Sequence, residues 1–250
     1  MRAIFSLAIG LSVLVSAPLC AQDLASTCHA SSSYDVTING DNLLFDRPSP
    51  APTRVELHQG KLRVDGVAVP ENAENQDRLV LFERDLRALA PRVRTVAQNG
   101  VDMAVQAVLA ETATVGLSTS ANSEFKQRLA THASDMKQRI ANSHSTHDFQ
   151  GDFATRYENE ILSDLAPLVA GDLTQQAVDA AMNGDLQAAA DLRDRGAALA
   201  TQLQPRIQQR MQALRPQIAA LCPSIDRLAE LQQGVRDARG KPLDLLQVER

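Results

Sequence analysis

The residues most suited to chemistry form a short polar cluster that contains His144, His147 and Asp148. Two imidazoles three positions apart share one face of a helix, and imidazole and carboxylate groups together can bind zinc or copper. A metal site at these three residues is therefore one hypothesis. The alternative is an ordinary solvated loop, because no third histidine lies nearby in the sequence.

Other catalytic signatures are missing from the sequence. It has no GxSxG nucleophile motif and neither a GxxxxGKS/T nor a GxGxxG phosphate-binding loop. Glu158, Glu160 and Asp164 could meet on one helix turn, but helices commonly carry acidic faces. We therefore expect no catalytic residue and no cofactor. A hydrolase acting on cell-wall material stays open as an alternative, and it would need a cleft with convergent polar groups.

The N-terminal segment has the pattern of a secretory signal peptide. Arg2 precedes an uncharged apolar run over residues 3–15, which is short for a transmembrane helix. Cleavage after Ala21 fits best, so residues 1–21 form the predicted signal. Cys20 suggests a lipoprotein as the alternative, but a lipobox has a small residue before its cysteine and Leu19 is not small. We expect export to a periplasm and no stable membrane anchor, since no later segment is apolar for long enough.

The composition indicates a helix-rich protein and excludes several kinds of partner. Hydrophobic residues make up 44% of the chain, but aromatic residues make up only 3% and Trp is absent. Apolar content from Leu, Ala, Val and Ile is typical of helix bundles. The formal net charge is −5, and loss of Arg2 with the signal would make it −6. Without a basic block, neither nucleic acid nor anionic lipid is an expected partner.

Two cysteines, Cys28 and Cys222, would remain after Cys20 is removed with the signal. In an oxidising compartment an isolated pair is most simply a disulfide. A catalytic thiol is the rival interpretation, but neither cysteine belongs to a CxxC motif, and His29 beside Cys28 is adjacent only in sequence.

Residues 22–70 carry the signals of a small antiparallel sheet. Polar and apolar residues alternate over residues 34–39, which is typical of a half-buried strand. Turn pairs at residues 39–40, 59–60 and 65–66 indicate hairpins. Three prolines between residues 48 and 52 predict a stiff extended connector between two hairpins.

Residues 71–236 change to helical periodicity and predict a bundle of long helices. We expect a loop over residues 112–122, a polar loop over 144–151, and kinks or breaks at prolines. Gly-Asp pairs before apolar residues predict helix caps. Residues 237–250 are predicted to form a flexible tail. The prolines at issue are Pro91, Pro205, Pro216 and Pro223, and the capping aspartates are Asp152, Asp172 and Asp185.

The chain contains four segments that together are distinctive: VTINGDNL at residues 36–43, LRVDGVAV at 62–69, QDR at 76–78 leading to FERDLR at 82–87, and a late cysteine followed by Asp226-Arg227. In these segments the chain resembles the YggN-like family of proteobacterial exported proteins, whose function is unknown. The resemblance implies no catalytic residue. It does support the pairing of Cys28 with Cys222, because the family places its cysteines likewise.

These observations predict an α+β protein in which a small N-terminal sheet leads into a mostly α bundle. The preferred function is that of a non-catalytic periplasmic protein that acts through helix surfaces on another protein of the cell envelope. The oligomeric state is not predicted. The metal-binding protein and the cell-wall hydrolase remain as alternatives.

Overall fold

A computed structural model of the protein describes residues 26–249, so the predicted signal peptide lies outside the described residues. The α+β class is confirmed, with an N-terminal antiparallel sheet followed by long helices. The described residues form two compact units. The sheet unit contains residues 26–99, 139–153 and 214–249, and the helical unit contains residues 100–138 and 154–213.

Short strands make two antiparallel sheets in the described part of the chain. A two-stranded ladder pairs the first strand with the last, and a five-stranded meander has the order β2-β3-β4-β5-β6. The strands are β1 (Ala30–Ser31), β2 (Asp35–Ile38), β3 (Leu43–Asp46), β4 (Arg54–His58), β5 (Lys61–Val64), β6 (Val67–Val69) and β7 (Gln247–Val248).

Alternation along the strands gives the meander one buried face. Phe45 lies opposite Val55, and Leu43 opposite Leu57, and all four side chains are buried. Two-residue turns at residues 59–60 and 65–66 join β4 to β5 and β5 to β6, with positive φ at every turn residue. Such turns match the twist of paired strands, which is why the turn pairs were informative.

The proline-rich segment differs from the sequence prediction. β3 and β4 are direct neighbours, and Arg47 N donates to Thr53 O across 2.9 Å. Residues 47–53 are therefore the loop of a hairpin and not an extended connector between two hairpins. Because β3 and β4 share a hydrophobic face, pairing them buries more apolar surface than a separated arrangement would.

The two edge strands of the meander are protected from further strand pairing in different ways. At the β2 edge, Ile38 N donates to His144 O across 2.8 Å and Thr37 forms a bridge with Ser145. At the other edge, β6 has only three residues and is followed by Pro70, which has no amide hydrogen to donate. Short strands and prolines are common devices against edge-to-edge aggregation.

Long helices make up most of the remaining described residues. No helix between residues 26 and 249 is long and apolar enough to cross a membrane. Two short 3-10 turns cover Thr146–Phe149 and Gln212–Leu214. The α-helices are α1 (Ala73–Val115), α2 (Thr119–Asn142), α3 (Phe153–Met182), α4 (Leu186–Met211), α5 (Arg215–Ala219) and α6 (Cys222–Leu231).

Several predicted helix boundaries are wrong. α1 continues through Pro91 and through residues 112–115, so the predicted loop over 112–122 shrinks to residues 116–118. Thr112 is buried and donates its hydroxyl to Val108 O across 2.7 Å, and Val115 is also buried. Burial of these side chains outweighs the weak helix propensity of a Thr-rich segment. Gly116, at φ 81, then ends the helix.

The prolines near the C-terminus confirm the predicted breaks in part, since the helical path is interrupted between α4 and α5, just before Pro216. Pro205 lies inside α4 without ending it. Pro216 and Pro223 stand in the first turns of α5 and α6, where a proline fits because no amide hydrogen is required. Pro223 therefore begins a helix instead of closing one, and α6 ends at Leu231, before the predicted limit at residue 236.

The core of the sheet unit joins segments from the beginning and the end of the described residues. Phe45 from β3 packs against Phe82 of α1 with ring centroids 6.1 Å apart. Cys28 and Cys222 form the predicted disulfide, with Cα atoms 5.1 Å apart.

Residues 237–249 are packed, which differs from the flexible tail predicted for residues 237–250. Leu243 and Leu245 are 3% and 2% exposed, and β7 pairs with β1. The leucine-rich stretch that contains these residues covers only residues 243–246, which is too short to establish a periodicity.

Candidate functional site

A polar groove of about 890 Å³ lies on the solvent face of the meander, entirely within the sheet unit. Its walls come from outward-facing strand residues, the loop between β3 and β4, the turn between β5 and β6, and the segment that covers the β2 edge. The groove is lined by Asp35, Thr37, Asp46, Arg47, Pro48, Thr53, Arg54, Asp65, Gly66, Ser145, His147 and Asp148. It therefore contains two of the three residues in the predicted metal cluster.

The 3-10 turn at residues 146–149 positions His147 and Asp148. Ser145 caps this turn by accepting a hydrogen bond from His147 N at 3.2 Å. The Asp148 carboxylate returns toward the cap and accepts from Ser145 N at 3.4 Å and from Ser143 Oγ at 2.9 Å. This reciprocal arrangement is a capping box, in which the carboxylate of Asp148 stabilises the start of the 3-10 turn.

His147 meets Asp35, which is 112 residues away in sequence. Its Nδ1 lies 3.0 Å from Asp35 Oδ2, while 76% of the His147 side chain stays exposed. Gln150 Nε2 also donates to Asp35. When a carboxylate contacts Nδ1, Nε2 is the ring nitrogen that can act as a general base or acid.

The structure brings two of the three predicted metal ligands, His147 and Asp148, to the groove, whereas His144 does not line it. His144 is not helical, so it does not share a helix face with His147, and its main-chain carbonyl pairs with β2. Between residues 26 and 249, no three His, Cys, Asp or Glu residues are grouped so that they could hold a metal ion. Zinc sites in proteins use three or four such ligands.

Four other charged groups of the groove also have partners within the sheet unit. Arg54 Nε lies 2.6 Å from Asp46 Oδ1. Asp65 accepts hydrogen bonds from Arg54 N at 2.9 Å and Thr53 N at 2.8 Å, and the Arg54 amide is the main cause of a lowered pKa for that carboxyl. The Arg47 guanidinium stacks 4.2 Å above the ring of Tyr34. These contacts rigidify the groove and leave His147 Nε2 as its clearest candidate for chemistry.

A second notable surface, which the sequence prediction missed, lies at the turn between α3 and α4. We call Val178, Met182 and Leu186 the hairpin tip; their exposed fractions are 47%, 82% and 72%. Val178 and Met182 lie one helical turn apart, and only residues 183–185 separate Met182 from Leu186. Three of the five large exposed hydrophobic residues in the described part of the chain therefore belong to one turn.

The hairpin turn is well defined by local hydrogen bonds. Gly184 adopts φ 84, and Asp185 N donates to Ala180 O across 2.9 Å. The Asp185 carboxylate accepts from Ala188 N at 2.9 Å, which confirms the predicted cap. The prediction is wrong for Asp172, which lies inside α3 and accepts from Ser118 N at 2.9 Å.

An ionic cluster joins α2 to α3 within the helical unit. Asp164 pairs with His132 Nε2 at 3.0 Å and with Arg128 Nη1 at 2.5 Å. The His132 hydrogen bond is the largest cause that lowers the pKa of Asp164, followed by Arg128. Tyr157 donates its hydroxyl to His132 O across 2.5 Å. Asp164 therefore contacts two basic side chains of α2, His132 and Arg128.

Comparison with protein families assigns most of the chain to one family. A model of the family described as "Protein of unknown function (DUF2884)" matches residues 28–246. The chain belongs to this family. The matched span begins at the first disulfide cysteine and includes the buried Leu243 and Leu245. No curated protein and no solved structure gives a significant match.

Proposed function

We propose that this protein is a non-catalytic periplasmic protein that binds another cell-envelope protein through the hairpin tip. The observation that carries the proposal is the exposure of Val178, Met182 and Leu186 at one well-ordered turn. Isolated exposed hydrophobic residues are common on proteins, but clustered ones favour association because covering them releases ordered water. A rigid turn also loses little conformational entropy when it binds.

Export is supported by two independent features. The N-terminal sequence has the pattern of a cleavable signal, and the structure contains the Cys28–Cys222 disulfide. Disulfides persist in oxidising compartments such as the periplasm. The resemblance to the YggN-like proteobacterial family fits the same location.

Site-specific photo-crosslinking in intact cells tests the proposal. A photoreactive amino acid replaces Met182 or Leu186, and a matched control replaces Asp41, an exposed residue of the sheet unit. We expect the tip positions to give the same protein adduct, identified by mass spectrometry, and position 41 not to give it. Serine at the other tip residue should weaken the adduct. An absence of any reproducible adduct at the tip, with correct export and folding, would contradict the proposal.

A second candidate function rests on the contact between Asp35 and His147 in the polar groove. An oriented imidazole could promote hydrolysis of cell-wall material by activating water. Incubation of purified peptidoglycan with the mature protein and with His147→Ala tests this role by the release of soluble fragments. Equal release by both proteins, or none by either, would reject it. Metal analysis and calorimetry on the same pair test the remaining metal hypothesis.

A further inference from the structure

The charged residues nearest to the hairpin tip along the sequence are acidic, and the first basic residue after it is Arg193, which pairs with Asp194. From residue 157 to residue 192 the chain has seven acidic residues and no Lys, Arg or His. Asp179 lies between Val178 and Met182 along α3, and Asp185 directly precedes Leu186. Asp191 lies just over one turn further along α4. The tip therefore combines an apolar centre with a rim of one charge sign.

The rim carboxylates are held in place by neutral donors. Asp179 accepts from the side-chain amide of Gln175 at 2.9 Å, and Asp191 accepts in the same way from Gln187 at 2.9 Å. Asp185 accepts from a main-chain amide. None of the ion pairs found among residues 26–249 includes these three carboxylates. Their negative charge is thus oriented but not neutralised.

The arrangement of charge and apolar surface indicates which side chains a binding partner would present to the tip. We propose that the tip binds an amphipathic helical segment of another protein whose apolar face is bordered by Lys or Arg. The apolar face would cover Met182 and Leu186, while the basic border would approach Asp179, Asp185 and Asp191. This inference rests on the proposed function and adds the chemical class of the partner.

The charge pattern opposes two other occupants of the tip. A second copy of the chain would bring its own acidic rim against this one, and like charges in contact oppose association. An anionic lipid surface would be repelled for the same reason. A basic amphipathic helix instead gains both from apolar burial and from electrostatic steering during encounter.

The test uses the full mature chain and two synthetic helical peptides, with binding followed by fluorescence anisotropy. Both peptides have identical leucine positions, and their polar positions are Lys in one and Glu in the other. We expect the Lys peptide to bind and the Glu peptide not to bind. Affinity for the Lys peptide should fall by about tenfold between about 20 mM and about 200 mM NaCl, because salt screens exposed charges.

Variants locate the binding at the tip. The triple change Asp179→Asn, Asp185→Asn and Asp191→Asn should weaken the Lys peptide by about fivefold to tenfold, from three exposed charge contacts. Asn at position 185 preserves the helix cap, so the turn stays folded. Met182→Ser should also weaken binding. The matched control changes three exposed aspartates of the sheet unit to asparagine, with the same net charge change: Asp41, Asp226 and Asp244.

The outcomes separate this inference from the proposed function. Equal binding of the two peptides would overturn the inference, as would equal weakening by the tip and control variants, which would indicate unspecific attraction. Tip-dependent binding to phosphatidylglycerol vesicles would also overturn it. If photo-crosslinking at Met182 still captures one protein while the acidic rim has no effect on that adduct, the proposed function stands and only the basic chemistry of the partner is rejected.

Discussion

Glu83 provides a sharp test of how the sheet unit is held together. Its side chain is 7% exposed and lies on α1, below the turn between β4 and β5. The carboxylate accepts hydrogen bonds from Gly60 N at 2.9 Å and Gln59 N at 3.2 Å. Both turn residues have positive φ, so the two amides point in directions that no neighbouring strand can satisfy.

The change Glu83→Gln keeps the shape of the side chain but removes its charge. A Gln side chain has one acceptor oxygen and turns an NH2 group toward the second amide, so one hydrogen bond is lost and the other is weakened. Hydrogen bonds to charged groups contribute about 1.5–3 kcal/mol each. We therefore expect the free energy of unfolding to fall by about 2–3 kcal/mol, and by somewhat more for Glu83→Ala, which also leaves a cavity.

Urea unfolding followed by circular dichroism measures this loss at neutral pH. Glu74→Gln serves as the control, because Glu74 is an exposed glutamate in the first turn of the same helix. The control should change stability by less than about 1 kcal/mol, the usual contribution of an acidic residue at a helix start. A Glu83→Gln protein that is as stable as the control would refute the assignment of Glu83 as the acceptor that fixes this turn.

Three further predictions concern the disulfide, the Asp164 carboxyl and Gly60. Serine at both Cys28 and Cys222 should lower stability by up to about 5 kcal/mol in the chain-entropy model for a loop of this length, and comparison of urea midpoints checks it; unchanged midpoints would argue against a bond that constrains the unfolded chain. Because the pKa of Asp164 is lowered in the folded protein, its contribution is present above the pKa of the unfolded carboxyl and is lost below about pH 4 as the pH falls through the folded pKa. Asp164→Asn should therefore lower the melting temperature at neutral pH and reduce its fall in acid, whereas an identical pH profile would reject the role of the His132 contact. Gly60→Ala should destabilise strongly, since its Cβ would lie 2.7 Å from a backbone oxygen of α1 and φ is +76; a melting temperature equal to that of the unchanged protein would contradict this.

The sequence was informative where local physics decides the structure. Alternation over residues 34–39 and the Asp-Gly turn at residues 65–66 indicate strands and a hairpin without reference to the rest of the chain. The Asp185 cap is equally local. Cys28 and Cys222 could be paired because the predicted signal removes the third cysteine and leaves one possible partner for each.

The remaining features depend on contacts between distant segments. The burial of Leu243 follows from packing within the sheet unit, and nothing beside it in the sequence signals this. The contact of His147 with Asp35 needs the β2 edge to be covered by a segment more than 100 residues later. The exposure of Met182 could not be predicted either, because an apolar residue on a helix is ordinarily assigned to the core. Periodicity identifies which residues are apolar but not which of them remain uncovered.

If the protein is exported as proposed, the disulfide has a consequence for its secretion. If the chain crosses the inner membrane from its N-terminus, Cys28 reaches the periplasm early, and its partner lies 194 residues further along. The Cys28 thiol therefore stays unpaired until nearly the whole chain has crossed the membrane. During that time it is accessible to oxidants and to thiol-disulfide exchange proteins. Once the signal has been removed, no other cysteine of the same molecule can compete for it. Any wrong pairing must then be intermolecular, so crowding of nascent chains is the condition under which secretion of this protein would produce covalent dimers.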